Sequence, residues 1–200
     1  ERMLTTMGVN VLIGSGQDIS LDGPAVLTSR DQVIPGDFSS AAFFIVAGLL
    51  AAPEGLLIRN VGVNPTRTGL LTILKEMGGS IDILNRREFG AEPVADLFVR
   101  KSKLKGIKVK PNLVPLAIDE FPVLFVAAAY ADGFTTVTGA QELRYKESDR
   151  LHVMCEGLQE LGVEAKETVD GIIITGGSLR GGCVDSHGDH RVAMSFAIAG

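Results

Sequence analysis

The chain has 200 residues and a formal net charge of −5, with 46% hydrophobic and 22% charged residues. This balance is typical of a soluble globular domain and excludes a disordered or fibrous chain. The acidic balance argues against a nucleic-acid-binding protein, although a few clustered arginines can still bind an anionic substrate. Two cysteines give no disulfide framework, which predicts a reducing, cytoplasmic location, and the longest apolar run (41–52) is too short to cross a bilayer.

Three segments of the chain, 4–12, 74–83 and 158–166, share one pattern. In each, an amphipathic helix ends at a glycine that suits the left-handed conformation, and a strand follows. These glycines are Gly8, Gly78 and Gly162. The stretch 17–36 differs, because alternation at 25–27 and 32–34 among glycines and prolines predicts a strand pair and then a crossing between two domains. We place the domain boundary at 32–36.

A second repeated feature is an aspartate that opens an apolar helix. Asp37, Asp119 and Asp189 each stand at such a start, and a turn and a strand follow the first two helices. The inferred repeat is helix, strand, loop, helix, strand, strand, which gives a mixed α/β (α+β) fold of large repeated units. The helices after Asp37 and Asp119 are apolar nearly all round and should be buried. A further helix over 193–200 runs to the last residue, so we expect the chain to be part of a longer one.

The charged segment 144–150 (RYKESDR) precedes the helix of 151–161. Ser148 is the expected N-cap, and Asp149 suits the first turn. Lys146 and Arg150 would then flank a helix N-terminus, where free N–H groups and the helix dipole favour a bound anion, with Glu147 beside it. The alternative is a solvated charge run that caps a surface helix, which is what an arbitrary charged pentapeptide usually is.

Other helix starts carry candidate groups of the same kind. Asp119 could cap its helix, which is the simpler interpretation, or act as a general base. Arg191 is a second candidate anion ligand, and His190 could donate a hydrogen bond or relay a proton. Arg67, before the helix of 70–77, is a weaker anion candidate. No spacing of histidines and cysteines predicts a metal site.

Five short segments of the chain resemble those of a known family. Segment 144–150 is similar to the R-x-K-E-[ST]-D-R motif of the EPSP synthase (3-phosphoshikimate 1-carboxyvinyltransferase) family. Segments 36–41 (GDFSSA), 64–67 (NPTR), 118–120 (IDE) and 189–191 (DHR) match it in order and approximate spacing. The resemblance implies repeated βαβαββ units of the enolpyruvyl transferase (inside-out α/β barrel) type. Residues 1–34 would end the first (N-terminal) domain, and 35–200 would form most of the second (C-terminal) domain, truncated in its last repeat.

The resemblance also implies a reaction, which needs no cofactor or metal. The enolpyruvyl (carboxyvinyl) group of phosphoenolpyruvate would pass to the 5-hydroxyl of shikimate 3-phosphate, giving EPSP and phosphate, in aromatic amino acid biosynthesis. Asp119 would contact shikimate 3-phosphate and accept the hydroxyl proton, and Glu147 would be the acid/base near C3. The binding residues would be Lys146 for shikimate 3-phosphate and Arg150 and Arg191 for phosphoenolpyruvate, with His190 in a supporting role.

Some parts of the family pattern differ or lie outside the chain. Glu142 stands where many members have an Asn that contacts the shikimate ring. Tyr145 stands where an aliphatic residue is commoner. The family's lysine-serine-arginine cluster, glycine-rich loop and late lysine are outside, so we expect the chain to be inactive without the missing remainder. The implied partners are the two small substrates, with no nucleic acid and no membrane. The alternatives are a UDP-N-acetylglucosamine enolpyruvyl transferase and a noncatalytic binding domain of the same fold.

Overall fold

The computed structural model describes residues 1–14 and 18–200, so Gln17, where the irregular stretch begins, lies outside the described residues. The helices are α1 (Arg2–Thr6), α2 (Phe38–Ala51), α3 (Gly69–Glu76), α4 (Phe121–Ala129), α5 (Arg150–Glu160) and α6 (His190–Ala199). The strands are β1 (Val11–Ile13), β2 (Ile19–Leu21), β3 (Leu56–Gly62), β4 (Ser80–Phe89), β5 (Glu92–Arg100), β6 (Phe134–Val137), β7 (Glu164–Thr168) and β8 (Gly171–Thr175).

Two successive units of this chain have the same topology. The first runs α2, β3, α3, β4, β5 and the second α4, β6, α5, β7, β8, as the sequence repeat predicts. Each unit forms an antiparallel three-stranded sheet with its last strand in the middle, in the orders β3-β5-β4 and β6-β8-β7. A parallel bridge precedes each unit, from Gly36 to Val61 and from Lys108 to Thr136.

The glycines that end the helices behave as predicted. Gly8, Gly78 and Gly162 have φ values of +91°, +94° and +79°, in the left-handed region that side chains disfavour. A strand follows each of them, so the local pattern repeats three times.

The core lies where α2, α4 and α6 pack together beside the two sheets. Every residue of α4 is buried, which confirms the prediction from its apolar sequence. For α2 the prediction is wrong on one face, where the Phe44 residue is 58% exposed. Because these helices pack in one core, their starts are held in fixed relation, and the site described below depends on this.

The segment 22–35 contains no strand, so the strands predicted at 25–27 and 32–34 are wrong. Within the described residues, the backbone of this segment makes one hydrogen bond to another segment, from Thr28 N–H to the Met7 carbonyl. The boundary between residues 34 and 35 stays a prediction. Among the described residues, no helix combines the length and the apolar character that a membrane crossing requires.

Candidate active site at the helix starts

The starts of α2, α3, α4 and α6 lie side by side at one end of the core. Ser39, in the first turn of α2, donates a hydrogen bond to Glu120 Oε1 just before α4, at 2.5 Å. Arg67, in the turn before α3, donates from Nη2 to Ser39 Oγ at 3.1 Å. Arg191, in the first turn of α6, donates from Nη1 to the Asp119 carbonyl at 3.0 Å. Charged residues far apart in the sequence therefore share one surface.

The Asp119 carboxylate stands at the centre of this surface. Lys146 Nζ lies 3.7 Å from Oδ1, while Arg67 Nη2 and Arg191 Nη2 lie 3.8 and 3.9 Å from Oδ2. At these distances the contacts are ion pairs rather than direct hydrogen bonds. The Asp119 side chain keeps 32% of its surface exposed. A carboxylate that is partly exposed and surrounded by three cations is well placed to meet a polar, anionic ligand.

Asp119 does not cap its helix, so the simpler interpretation was wrong. It lies in a 3-10 turn, Ile118–Glu120, and the residue directly before α4 is Glu120, which makes no side-chain capping bond. Pro122 in the first turn lacks the N–H that a cap would satisfy. The Asp119 side chain is therefore free to turn toward the cations.

Glu120 is a functional candidate that the sequence interpretation missed. Its side chain is 2% exposed, and Oε1 lies 4.0 Å from Arg67 Nη2 and 3.9 Å from Arg191 Nη1. Burial raises the pKa of Glu120, and the Ser39 hydrogen bond and the charges of Arg67 and Arg191 oppose that rise. The only sequence signal was a second carboxylate before an apolar helix, which does not distinguish a buried group from an exposed one.

A second group of charges joins the start of α5 to the start of α6. Arg150 is buried and binds Asp189 through Nε, at 2.8 Å from Oδ2, and through Nη2, at 3.3 Å from Oδ1. The same Nη2 lies 2.5 Å from Glu147 Oε2. Arg150 Nη1 makes no hydrogen bond to the described residues. This is the one nitrogen of the Arg150 guanidinium group that no described residue binds.

Asp189 opens α6 and caps it with its side chain. Its Oδ1 accepts from the N–H groups of Arg191 and Val192 at 2.9 and 3.4 Å. Burial alone would raise the pKa of Asp189, but the hydrogen bond and charge of Arg150, with the two N–H groups, hold it below its ordinary value. The carboxylate is therefore ionised and fixes Arg150 and Arg191 relative to each other.

The predicted cap at Ser148 is wrong. Asp149 caps α5 instead, with Oδ1 accepting from His152 N–H at 3.1 Å. Asp149 directly precedes the first helical residue, where an aspartate carboxylate reaches the N–H groups of the first turn. Ser148 Oγ donates to Asp189 Oδ2 at 3.1 Å, so it links the two charged segments rather than capping a helix.

The remaining predicted site residues are Lys146, Glu147 and His190. Lys146 Nζ is 2.6 Å from Glu142 Oε1, a partner that the sequence interpretation did not foresee. Glu147 is half exposed, and Tyr145 is 83% exposed. His190 is the first residue of α6, is exposed, and makes no side-chain hydrogen bond within the described ranges. In residues 1–14 and 18–200, no three histidine, cysteine or carboxylate groups are arranged to hold a metal ion.

A family model described as EPSP synthase (3-phosphoshikimate 1-carboxyvinyltransferase) matches residues 1–200. The chain belongs to the EPSP synthase family. A 3-phosphoshikimate 1-carboxyvinyltransferase of Legionella pneumophila (strain Lens) is 58% identical over the whole chain, which covers 46% of that relative. One from Methylococcus capsulatus is 52% identical, and the chain covers 45% of it. The chain thus spans about half the length of the curated relatives that it matches.

Solved structures agree with the family and the fold. An EPSP synthase of Acinetobacter baumannii matches 99% of the chain with a TM-score of 0.95 and 47% identity, and the chain covers 46% of it. The enolpyruvyl transferase NikO of Streptomyces tendae matches with a TM-score of 0.68 at 21% identity, which bears on the fold alone. The expectation of an enolpyruvyl transferase fold is therefore confirmed.

Proposed function

We propose that the protein to which this chain belongs transfers the enolpyruvyl group of phosphoenolpyruvate to the 5-hydroxyl of shikimate 3-phosphate. The reaction gives EPSP and phosphate. The observation that carries the proposal is the Asp119 carboxylate with Lys146, Arg67 and Arg191 within 4 Å, in a chain of the EPSP synthase family. The relatives' name, 3-phosphoshikimate 1-carboxyvinyltransferase, supports this choice of substrates.

Asp119 is the proposed proton acceptor. The substrate hydroxyl loses its proton to this carboxylate as its oxygen forms a bond to C2 of phosphoenolpyruvate, and C3 gains a proton. Glu147 is the proposed acid/base at C3, and its bond to Arg150 Nη2 orients it. In the second step C3 loses a proton and the C2–O bond to phosphate breaks, which restores the double bond.

The cations bind the substrates in this proposal. Lys146 would contact shikimate 3-phosphate, because its Nζ already lies near Asp119 Oδ1. Arg191 and Arg150 would bind phosphoenolpyruvate, since a guanidinium group suits a carboxylate or a phosphate. Arg150 would use Nη1, because Nε and Nη2 already bind protein carboxylates. His190 would support this binding from the exposed start of α6.

The test is an assay of the full-length protein with both substrates, measuring phosphate release and EPSP by mass spectrometry. Asp119→Asn should lower kcat by about 10²- to 10⁴-fold, the usual contribution of a positioned proton acceptor. Asp132→Asn is a matched control, because Asp132 follows the opposite end of the same helix and is exposed. It should leave kcat unchanged.

Calorimetry separates the alternatives. Wild-type protein that does not bind shikimate 3-phosphate would refute the proposal. In that case, turnover of UDP-N-acetylglucosamine would favour the related transferase. Binding of shikimate 3-phosphate without turnover would favour a noncatalytic domain. We also propose that residues 1–200 alone are inactive, so phosphate release by the isolated chain would contradict that part. A cytoplasmic, reducing location belongs to the proposal and is supported by Cys155 and Cys183, which form no disulfide.

A further inference from the structure

Glu120 and Asp119 are adjacent carboxylates in very different surroundings. The Glu120 side chain is 2% exposed, whereas that of Asp119 is 32% exposed. Both carboxylates lie within 4.0 Å of the guanidinium groups of Arg67 and Arg191. The two arginines therefore lie near a buried carboxylate and a partly exposed carboxylate at the same time.

A short chain of hydrogen bonds holds the buried carboxylate in place. Arg67 Nη2 donates to Ser39 Oγ, and Ser39 donates to Glu120 Oε1. This fixes Oε1 relative to α2, because Ser39 is in the first turn of that helix. A buried carboxylate costs free energy unless charges and hydrogen bonds compensate it, and these contacts offset part of that cost.

The charge of Glu120 has a consequence for Asp119. Two guanidinium groups near one carboxylate would be drawn into direct bidentate contact with it if nothing held them back. Such contact would occupy the donors that an anionic ligand needs and would mask the Asp119 oxygens. The nearest nitrogens stay 3.8 and 3.9 Å from Asp119 Oδ2. Arg67 is held through Ser39, which Glu120 binds, and Arg191 donates to the Asp119 carbonyl while its Nη1 lies 3.9 Å from Glu120 Oε1.

We infer that Glu120 is a positioning residue, which holds Arg67 and Arg191 apart from Asp119 so that the arginines can bind the anionic substrate and Asp119 can accept a proton. This inference rests on the proposed function. Glu120 itself touches no substrate, since its side chain is 2% exposed. Ser39 has the lesser role of holding Glu120.

The decisive variant is Glu120→Gln, which keeps the shape and the acceptor for Ser39 but removes the charge. The matched control is Asp96→Asn, because Asp96 is also a buried carboxylate, bound by Asn60 N–H and Arg87, but on β5. In the full-length protein we expect E120Q to lower kcat by about 100-fold, as for a mispositioned catalytic group, and to change KM for phosphoenolpyruvate.

D96N should lose stability and keep wild-type kcat and KM. E120Q with the same kinetic profile as D96N would overturn the inference, since both changes would then be structural only. Ser39→Ala should resemble E120Q with a smaller loss of kcat. Wild-type protein without turnover would instead count against the proposed function.

Crystal structures of the wild-type protein and E120Q decide the inference independently of turnover. The guanidinium groups of Arg67 and Arg191 should move toward Asp119 by about 1 Å, a shift large enough to disturb catalysis. Unmoved guanidinium groups would refute the positioning role.

Discussion

The buried pair of Arg150 and Asp189 should contribute much more to stability than an exposed pair of the same kind. Their side chains are 1% and 0% exposed, and Nε lies 2.8 Å from Oδ2. Arg100 and Asp82 form a pair of the same residue types at the same 2.8 Å, but with 44% and 49% exposure. The two pairs share residue types and distance and differ in burial, and Arg150 also binds a second carboxylate, Glu147.

Arg150→Met should lower the free energy of unfolding by about 3–5 kcal/mol, because it leaves the Asp189 carboxylate buried without its cation. Arg100→Met should cost about 0–1 kcal/mol for the exposed pair. Its guanidinium group also lies 5.0 Å from the centre of the Phe98 ring, so the control cost can reach about 2 kcal/mol when the lost cation–π contact is added. A domain is typically stable by about 5–15 kcal/mol, so the buried change is severe.

The assay is urea unfolding of the full-length protein, followed by far-ultraviolet circular dichroism and analysed by linear extrapolation. The double variant R150M/D189N should recover most of the loss, since it removes both charges and leaves an amide that can still cap α6. An R150M cost no larger than that of R100M would refute this reasoning, because burial would then make no difference.

Two further predictions concern α5. Gly157→Ala should destabilise the protein by about 1–3 kcal/mol through overpacking, since a Cβ there would overlap the Phe196 ring and lie 2.6 Å from Val184 Cγ1; a stabilised variant, the outcome expected from helix propensity alone, would contradict it. The hydrogen bond that His152 donates to Glu167 raises the pKa of His152, and the charge of Glu156 adds to that rise. Its contribution is therefore complete below the unfolded pKa of about 6.5 and is lost as pH rises through the folded value. Melting temperatures of wild type and His152→Gln should accordingly differ in acid and converge in alkali, and a constant difference across pH would show that the charge is not responsible.

The repeat could be predicted from the sequence because its signals are local. A glycine that ends a helix acts through its own backbone angle, so Gly8, Gly78 and Gly162 could be identified without tertiary information. The same holds for Asp37 and Asp189, which cap the helices that they precede. Family membership was likewise foreseeable from short charged motifs, which the comparison over the whole chain confirms.

The prediction of helix caps was wrong where neighbouring side chains compete for the same N–H groups. Ser148 and Asp149 both stand before α5, and only the structure shows that Asp149 takes the N–H of His152 while Ser148 turns to Asp189. Asp119 failed as a cap because a 3-10 turn and Pro122 come between it and a capping position. In both cases the choice depends on backbone geometry that residue types do not determine.

The part of the site that depends on tertiary contact was not predictable from the sequence. Ser39 and Glu120 look like ordinary first-turn residues, and their meeting depends on the packing of α2 against α4. Arg67 was only a weak candidate for the same reason, since its partners come from two other helix starts. Position in the repeat indicated that the helix starts could meet, but not which side chains would touch.

The charges of the site explain why the other half of the protein should be needed. The described part contributes four cations and five carboxylates, one more negative than positive charge. The cations are Arg67, Lys146, Arg150 and Arg191, and the carboxylates are Asp119, Glu120, Glu142, Glu147 and Asp189. The cations of this surface are already paired without a ligand, because each of them has a carboxylate within 4 Å.

Substrates that carry phosphate and carboxylate groups would have to compete with these carboxylates for the same cations. Lys146 would have to exchange its contact with Glu142 for one with the substrate. Arg191 would be shared between the substrate and Asp119. Binding therefore becomes favourable only when further cations face this surface and tip the local balance to positive. The chain covers 46% of its Legionella relative, so the rest of the protein can supply them. The proposed inactivity of residues 1–200 alone follows from this charge balance as well as from the missing motifs.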